Sequence, residues 1–237
     1  ALTLLSSRQI DGLASSLNEV LGRVAGVTIR SMGGVGSSSR ISVRGLEGKR
    51  MGLYIDGAAV SQMSNFVTLD DVPTDMIERV ELYKGIVPYR FGGTAMGGAV
   101  NVVLKDYPPR YLDASYEVGS YNTHRANSVF KRSFADLGLE LGLGGLFVAS
   151  DNDYEMTLHN QNDLRVRRGN DAFRKAVLGG SIKETKWWFD ELKSEFVLTS
   201  TRQGIQGIDW DYRSAHNHAS SFLVSLEAKR KHFFVEG

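Results

Sequence analysis

The sequence predicts an α+β domain over residues 1–107 and, from residue 108 onward, antiparallel β-strands long enough to cross a bilayer. Three observations carry this. Helical and strand patterns mix in the first part of the chain. Long segments of alternating apolar and polar positions fill the rest. Pro108 and Pro109 stand between the two patterns, and two consecutive prolines cannot both sit inside a paired strand.

In the first part, Ser16 with Glu19 has capping-box spacing, and Leu17, Val20, Leu21 and Val24 follow the helical period. Gly26 suits the left-handed residue that ends a helix. VTIR, RISVRG and RMGLYIDG read as strands, and Asp56-Gly57 is a turn signal after the last of them. Pro73 and Thr74 open a helical turn in VPTDMIERVELYKG, which then passes into a strand; GAVNVVLK is the final strand of this part.

Beyond the prolines we count six alternating segments, near 111–120, 124–134, 137–149, 172–183, 187–200 and 220–230. Leu112, Ala114, Tyr116 and Val118 share one face of the first; Leu137, Leu139, Leu141 and Leu143 alternate in the third; Phe222, Val224, Leu226 and Ala228 do so in the sixth. Each exceeds the ~5–6 residues usual for soluble strands. The second and fourth connections, at Ala135–Asp136 and Glu184–Lys186, are tight, whereas the third and fifth are long and polar. Short turns on one side and long loops on the other suit an outer-membrane barrel. They also suit a soluble antiparallel sheet with uneven loops, and this part alone leaves both readings open. Trp187 and Trp188, placed at a strand start, fit either an aromatic girdle or the packing of a soluble sheet.

Composition narrows the function. A net charge of +1 indicates no general attraction to nucleic acid. The absence of cysteine excludes disulfides, thiolate metal sites and a cysteine nucleophile. No run approaches the roughly 20 apolar residues of a membrane-spanning helix, which leaves barrel strands open. No signal peptide precedes Ala1, so a cytosolic or a mature exported protein is expected. The glycine cluster Gly92, Gly93, Gly97, Gly98 is not a phosphate cradle, because neither G-x-x-x-x-G-K-[ST] nor G-x-G-x-x-G is present and a strand follows. The glycines, with Gly85 and Gly57, read as structural turns and close backbone approaches. No catalytic constellation emerges, so no enzyme activity, cofactor or metal is expected. His216 and His218 form an H-x-H in a loop, which fits weak metal ligation or plain solvation. DNDYE and DWDY lack EF-hand spacing.

Four stretches in order, SLNEVLGRVAGVTI, RISVRGLEGKRMGLYIDGAAV, DDVPTDMIERVELYKG and FGGTAMGGAVNVVLKD, resemble the plug domain of TonB-dependent outer-membrane receptors. KGIVPYRFGG departs from the family's usual wording, with Phe91 where tyrosine is commoner, and is similar to receptors of the Bacteroidetes type. The resemblance implies an α+β plug followed by the first strands of a transmembrane β-barrel. That barrel has about 22 strands in the family, so the chain is expected to be part of a receptor.

By the same resemblance, a nutrient ligand (siderophore, haem, cobalamin, glycan or peptide) meets the plug at two outward loops. These carry Gly33, Gly34 and Ser37, and Ser61, Gln62, Ser64, Asn65 and Phe66. Ordinary solvated loops are the alternative. Arg44 and Arg79, with Glu78 and Glu81, look like an ionic lock to carboxylates of the barrel wall beyond residue 237, or else form surface salt bridges. TonB is the expected energy-transducing partner, through a segment upstream of Ala1. Outer-membrane lipid and a surface lipoprotein are further expected partners. A plug-bearing structural or secretion-related component that does not import is the second reading, and a soluble periplasmic domain the third.

Overall fold

A computed structural model describes residues 2–10, 17–31, 34–36, 39–43, 45–47, 51–59, 72–85, 87–88, 91, 98–205 and 214–230. The chain forms two compact units, Ala1–Asp106 and Tyr107–Gly237.

The first unit runs β1 (Leu2–Ser6), α1 (Ser7–Ile10), α2 (Leu17–Gly22), β2 (Val27–Ser31), β3 (Ser39–Val43), β4 (Leu46–Glu47), β5 (Met51–Ile55), β6 (Ala58–Ala59), a 3-10 turn (Thr74–Met76), β7 (Ile77–Lys84) and β8 (Gly98–Leu104). Its main sheet has the order β1-β7-β8-β5-β6, and β2-β3-β4 form a second sheet. Within the main sheet only β5 and β8 run parallel. Strand alternation sorts the main sheet into two faces. Val80 and Leu82 of β7, Val100 and Val102 of β8 and Ile55 of β5 enter a core with Leu17, Val20 and Leu21 of α2, Val27 and Val43. Each fully buried side chain of this size stabilises by about 1.5–3 kcal/mol relative to exposure.

Local chemistry matches these elements. The helical face expected from Leu17, Val20, Leu21 and Val24 is the buried one, and Gly26 has φ 82°. The capping residue Ser16 lies outside the described residues. Asp56 (φ 47°) and Gly57 (φ 82°) are the two turn residues between β5 and β6, the left-handed pair that a tight hairpin requires. A bulge skips Glu78 between the pairs Ile77–Leu104 and Arg79–Val103, leaving Glu78 and Arg79 both exposed on β7.

The second unit is a six-stranded antiparallel meander, ordered β9 (Arg110–Gly119), β10 (Thr123–Phe134), β11 (Leu139–Ser150), β14 (Phe173–Glu184), β15 (Glu191–Gly204) and β16 (His216–Lys229). The third connection contains a hairpin of its own, β12 (Glu155–Leu158) and β13 (Leu164–Arg167), around a 3-10 turn at His159–Gln161. The tight turns are laced together: Lys186 Nζ donates to the carbonyls of Ala135 (2.8 Å) and Asp136 (2.9 Å), and Glu184 accepts from the backbone N–H of Lys186 (2.6 Å) and Trp187 (2.9 Å).

Four sequence expectations shift here. Leu137 lies in the turn before β11 rather than in the strand. Strand β15 starts at Glu191, four residues after the expected 187, so Trp187 and Trp188 belong to the turn. At the loop end, β15 continues to Gly204 and β16 begins at His216, so His216 and His218 are strand residues rather than loop residues. The reason is common to all: a strand extends as far as its neighbour offers ladder partners, and Gly204 pairs with His216 and Arg202 with His218.

Register fixes which side chains share a face. One face carries Leu112, Tyr116, Val118, Ala126, Phe130, Leu139, Leu141, Leu143, Phe147, Leu178, Ile182, Leu192, Phe196, Leu198, Phe222, Val224 and Leu226. Its charged and imidazole residues stand only at the two ends. Arg110, Arg132 and Glu184 are at the tight-turn end; His124, Arg174, Arg202, His216 and His218 are at the long-loop end. The opposite face holds most of the charged and hydroxyl side chains, with contacts such as Lys131–Glu140 (3.4 Å), Lys183–Glu191 (3.0 Å) and Lys229–Glu191 (2.8 Å), around a few buried apolar ones, Val129, Leu146, Val148 and Phe173.

Candidate functional site

The polar centre of the first unit lies on the second face of its main sheet. Alternation along β7 puts Arg79, Glu81 and Tyr83 on that face, opposite Val80 and Leu82. Asn101 sits directly across from Glu81 on β8. Glu81 is 5% exposed and uses both carboxylate oxygens. Arg79 donates to Oε1 (Nε 3.0 Å, Nη2 2.9 Å), while Tyr83 OH (2.9 Å) and Asn101 Nδ2 (3.0 Å) donate to Oε2. Asn101 Oδ1 in turn accepts the N–H of Gly57 at 3.0 Å. The Asp56 carboxylate accepts the N–H of Leu104 at 2.9 Å, tying the same hairpin to β8.

Burial opposes ionisation of Glu81, but the hydrogen bonds from Asn101, Tyr83 and Arg79 and the Arg79 charge outweigh it. The carboxyl is held below its ordinary value. A charge this enclosed is tolerable because every partner it needs is supplied.

Beside this network, Tyr54, Tyr83, Phe91 and Ala99 form a small apolar cluster. The Phe91 ring lies 4.6 Å from Tyr54 and 5.3 Å from Tyr83, and Tyr54 OH donates to the Phe91 carbonyl at 2.8 Å. Gly98 opens β8 with φ 149°, and a Cβ there would stand 2.5 Å from the Tyr83 carbonyl oxygen. For this residue, close approach of two backbones inside the unit explains the glycine. Gly85 has φ 101°; Gly92 and Gly97 lie outside the described residues.

Of the residues expected at the ligand loops, Gly34 lies in a turn and is half-buried. Gly33, Ser37, Ser61, Gln62, Ser64, Asn65 and Phe66 lie outside the described residues, as does Arg44. The four-residue lock group is therefore seen in three members, of which Arg79 and Glu81 are joined and Glu78 stands exposed on the bulge. Sequence reasoning missed Asn101, Tyr83, Tyr54 and Phe91 as members of this centre. The one available signal was a lone amide in the apolar run GAVNVVL, since a polar residue in a buried strand must find partners. Among the described residues no group of acidic and histidine side chains could hold a metal.

A family model described as the TonB-dependent receptor plug domain matches residues 1–99. Residues 1–99 are thus similar to the plug domain of TonB-dependent receptors. The vitamin B12 transporter BtuB of Vibrio vulnificus (strain CMCP6) is 30% identical over 145 residues, covering 60% of this chain and 24% of the transporter. Among solved structures, the ferric enterobactin receptor PfeA of Pseudomonas aeruginosa, in a mutant form, matches with TM-score 0.63 and 16% identity over 97% of this chain and 38% of that one. The siderophore receptor PirA of the same organism matches with TM-score 0.60 and 21% identity, over 85% and 34%. The fold is thus a plug followed by antiparallel strands of a plugged barrel, and the chain spans only about a quarter to two-fifths of the length of these relatives. The Glu81 network belongs to the plug, where it pins β7, β8 and the Asp56-Gly57 hairpin to one another.

Proposed function

We propose that this chain is the plug and first wall strands of an outer-membrane receptor that takes up a scarce nutrient, such as a ferric siderophore or a cobalamin, with energy supplied through TonB. The carrying observation is the second unit's apolar face. Its charges are confined to the two ends, and the polar face is turned the other way. On β14 the interval between Arg174 and Glu184, at about 3.3 Å per residue and the usual tilt, gives a band close to the ~25 Å of a barrel wall. Trp187 and Trp188, 75% and 67% exposed at the tight-turn end, suit an interfacial girdle, and the Arg230 guanidinium lies 4.5 Å from the Trp188 ring. The names of the relatives, a vitamin B12 transporter and siderophore receptors, support the nutrient class.

In this reading ligand meets the plug at Gly33, Gly34, Ser37, Ser61, Gln62, Ser64, Asn65 and Phe66. Arg44 and Arg79 form the lock to wall carboxylates outside this chain, with Glu78 beside them and Glu81 orienting Arg79 from within the plug. The test is uptake. A strain lacking the gene is expected to lose growth on one of a panel of ferric siderophores, haem, cobalamin, glycans or peptides, and to regain it with the full-length gene. Unchanged growth and unchanged uptake of labelled nutrient across the panel would overturn the proposal.

A further inference from the structure

On the apolar face of the second unit, Arg174 of β14 stands directly across from Arg202 of β15, and Arg202 directly across from His218 of β16. Directly opposed side chains have Cβ atoms about 5 Å apart, and like charges in that position repel. Two facing arginines are therefore unfavourable unless an anion lies between them. All three side chains are exposed, and neither guanidinium has a carboxylate partner among the described residues. The nearest carboxylate on the same face of these three strands is Glu184, at the opposite end. The row spans two inter-strand spacings, about 10 Å, which is wide enough for more than one phosphate.

The next row toward the centre of the face is Ala176, Ser200 and Ser220, and the row beyond is Leu178, Leu198 and Phe222. Small side chains flanked by large apolar ones leave a shallow hollow of about 460 Å³ lined by these six residues together with the intervening Val177, Thr199 and Ser221. Its two rows share the face proposed to meet lipid, immediately below the cationic row. Cations above a greasy furrow match an amphiphile with an anionic head. The position at the long-loop end places that head in the outer leaflet.

We infer that this end of the wall binds an outer-leaflet lipid bearing more than one phosphate, with its headgroup held by Arg174 and Arg202 and an acyl chain seated in the hollow. His218 offers an N–H donor to the same headgroup in either protonation state. Guanidinium forks suit phosphate because two parallel N–H donors meet two oxygens. The inference rests on the membrane reading of the sheet.

The test uses the full-length receptor in phosphatidylcholine nanodiscs, with diphosphorylated lipid A as the probe and native mass spectrometry as the readout. Wild type is expected to retain lipid A and R174Q/R202Q to retain at least tenfold less. S200L, which keeps both arginines but fills the hollow, is expected to reduce retention severalfold. Equal retention by wild type and R174Q/R202Q, or no retention by wild type, would overturn the inference. So would equal or better retention of phosphatidylglycerol, or displacement of lipid A by millimolar inorganic phosphate. Nutrient uptake by each variant separates the two readings: lost lipid binding by wild type with intact uptake sinks this inference alone, whereas a full-length protein that never enters the nanodisc sinks the membrane reading with it.

Discussion

Gly98 and Gly57 show two different uses of a residue without Cβ. Gly98 has φ 149° and a backbone oxygen 2.5 Å from where a Cβ would be; Gly57 has φ 82° with nothing within 4 Å. Gly98→Ala is therefore expected to cost about 1–3 kcal/mol, through conformational strain and a contact that neither strand can relieve by a rotamer change. Gly57→Asn should cost less than about 1 kcal/mol, because asparagine tolerates the left-handed region. Chemical denaturation of the full-length variants measures both, and equal losses would contradict the distinction. Glu81 sets a pH dependence. Its folded-state carboxyl titrates below its unfolded value, so its contribution is present above about pH 4.3 and fades as pH falls through the lower folded value. Glu81→Gln should thus weaken the plug at pH 7, with the gap to wild type narrowing below about pH 4. A gap that stays constant with pH would show that the charge itself is not what the network stabilises.

At the level of elements, β15 carries two environments on adjacent residues. Phe196 faces the apolar side, across from Val224 and Gly180, while Val197 faces the polar side, across from Leu223 and Gly179. Phe196→Arg is expected to destabilise the folded barrel by about 2–4 kcal/mol near mid-membrane, and Val197→Arg by clearly less. Urea-driven unfolding of the full-length protein in lipid compares the two, and a larger loss at Val197 would reverse the assignment of faces. The plug's β7 makes the same point with a bulge. Skipping Glu78 sends Ile77 into the core with Val80 and Leu82, although it stands two residues from Arg79, while plain alternation keeps Arg79 and Glu81 on one side, where Arg79 meets Glu81 with 45% of its side chain still exposed. The parity of Ile77 had no signal in the sequence, because a bulge shifts it without changing residue type.

For the whole molecule, the expected behaviour follows from two units with opposite packing rules. The plug buries an apolar core beneath the main sheet and keeps a wired polar centre on its other face. The second unit instead exposes its apolar side chains: Leu112 is 76% and Leu226 71% exposed. Such a surface calls for a cover, which the proposed function supplies as lipid. Full-length protein should therefore fractionate with membranes and require detergent for extraction; recovery as a soluble periplasmic protein would refute the wall assignment.

Much of this was legible in the sequence. The helical period of Leu17, Val20 and Leu21, the Asp56-Gly57 turn and the six alternating segments are local signals, carried by residues close together in the chain, and each maps onto an observed element. Strand ends were less legible, because Glu191, Gly204 and His216 are placed by ladder partners rather than by their own preferences. The brief hairpin of β12 and β13 went unseen inside a polar loop, and the edge strand β1, whose Leu5 pairs with Val80 of β7 far along the chain, went unseen as well. What the sequence alone determined is the division into a mixed α/β part and an alternating β part, since periodicity is a property of the chain. Only the tertiary structure decided which polar residues meet, joining Glu81, Tyr83 and Asn101 in the plug and setting Arg174, Arg202 and His218 in one row. Those meetings depend on register between strands, and register is settled by the packing of whole faces rather than by any single residue.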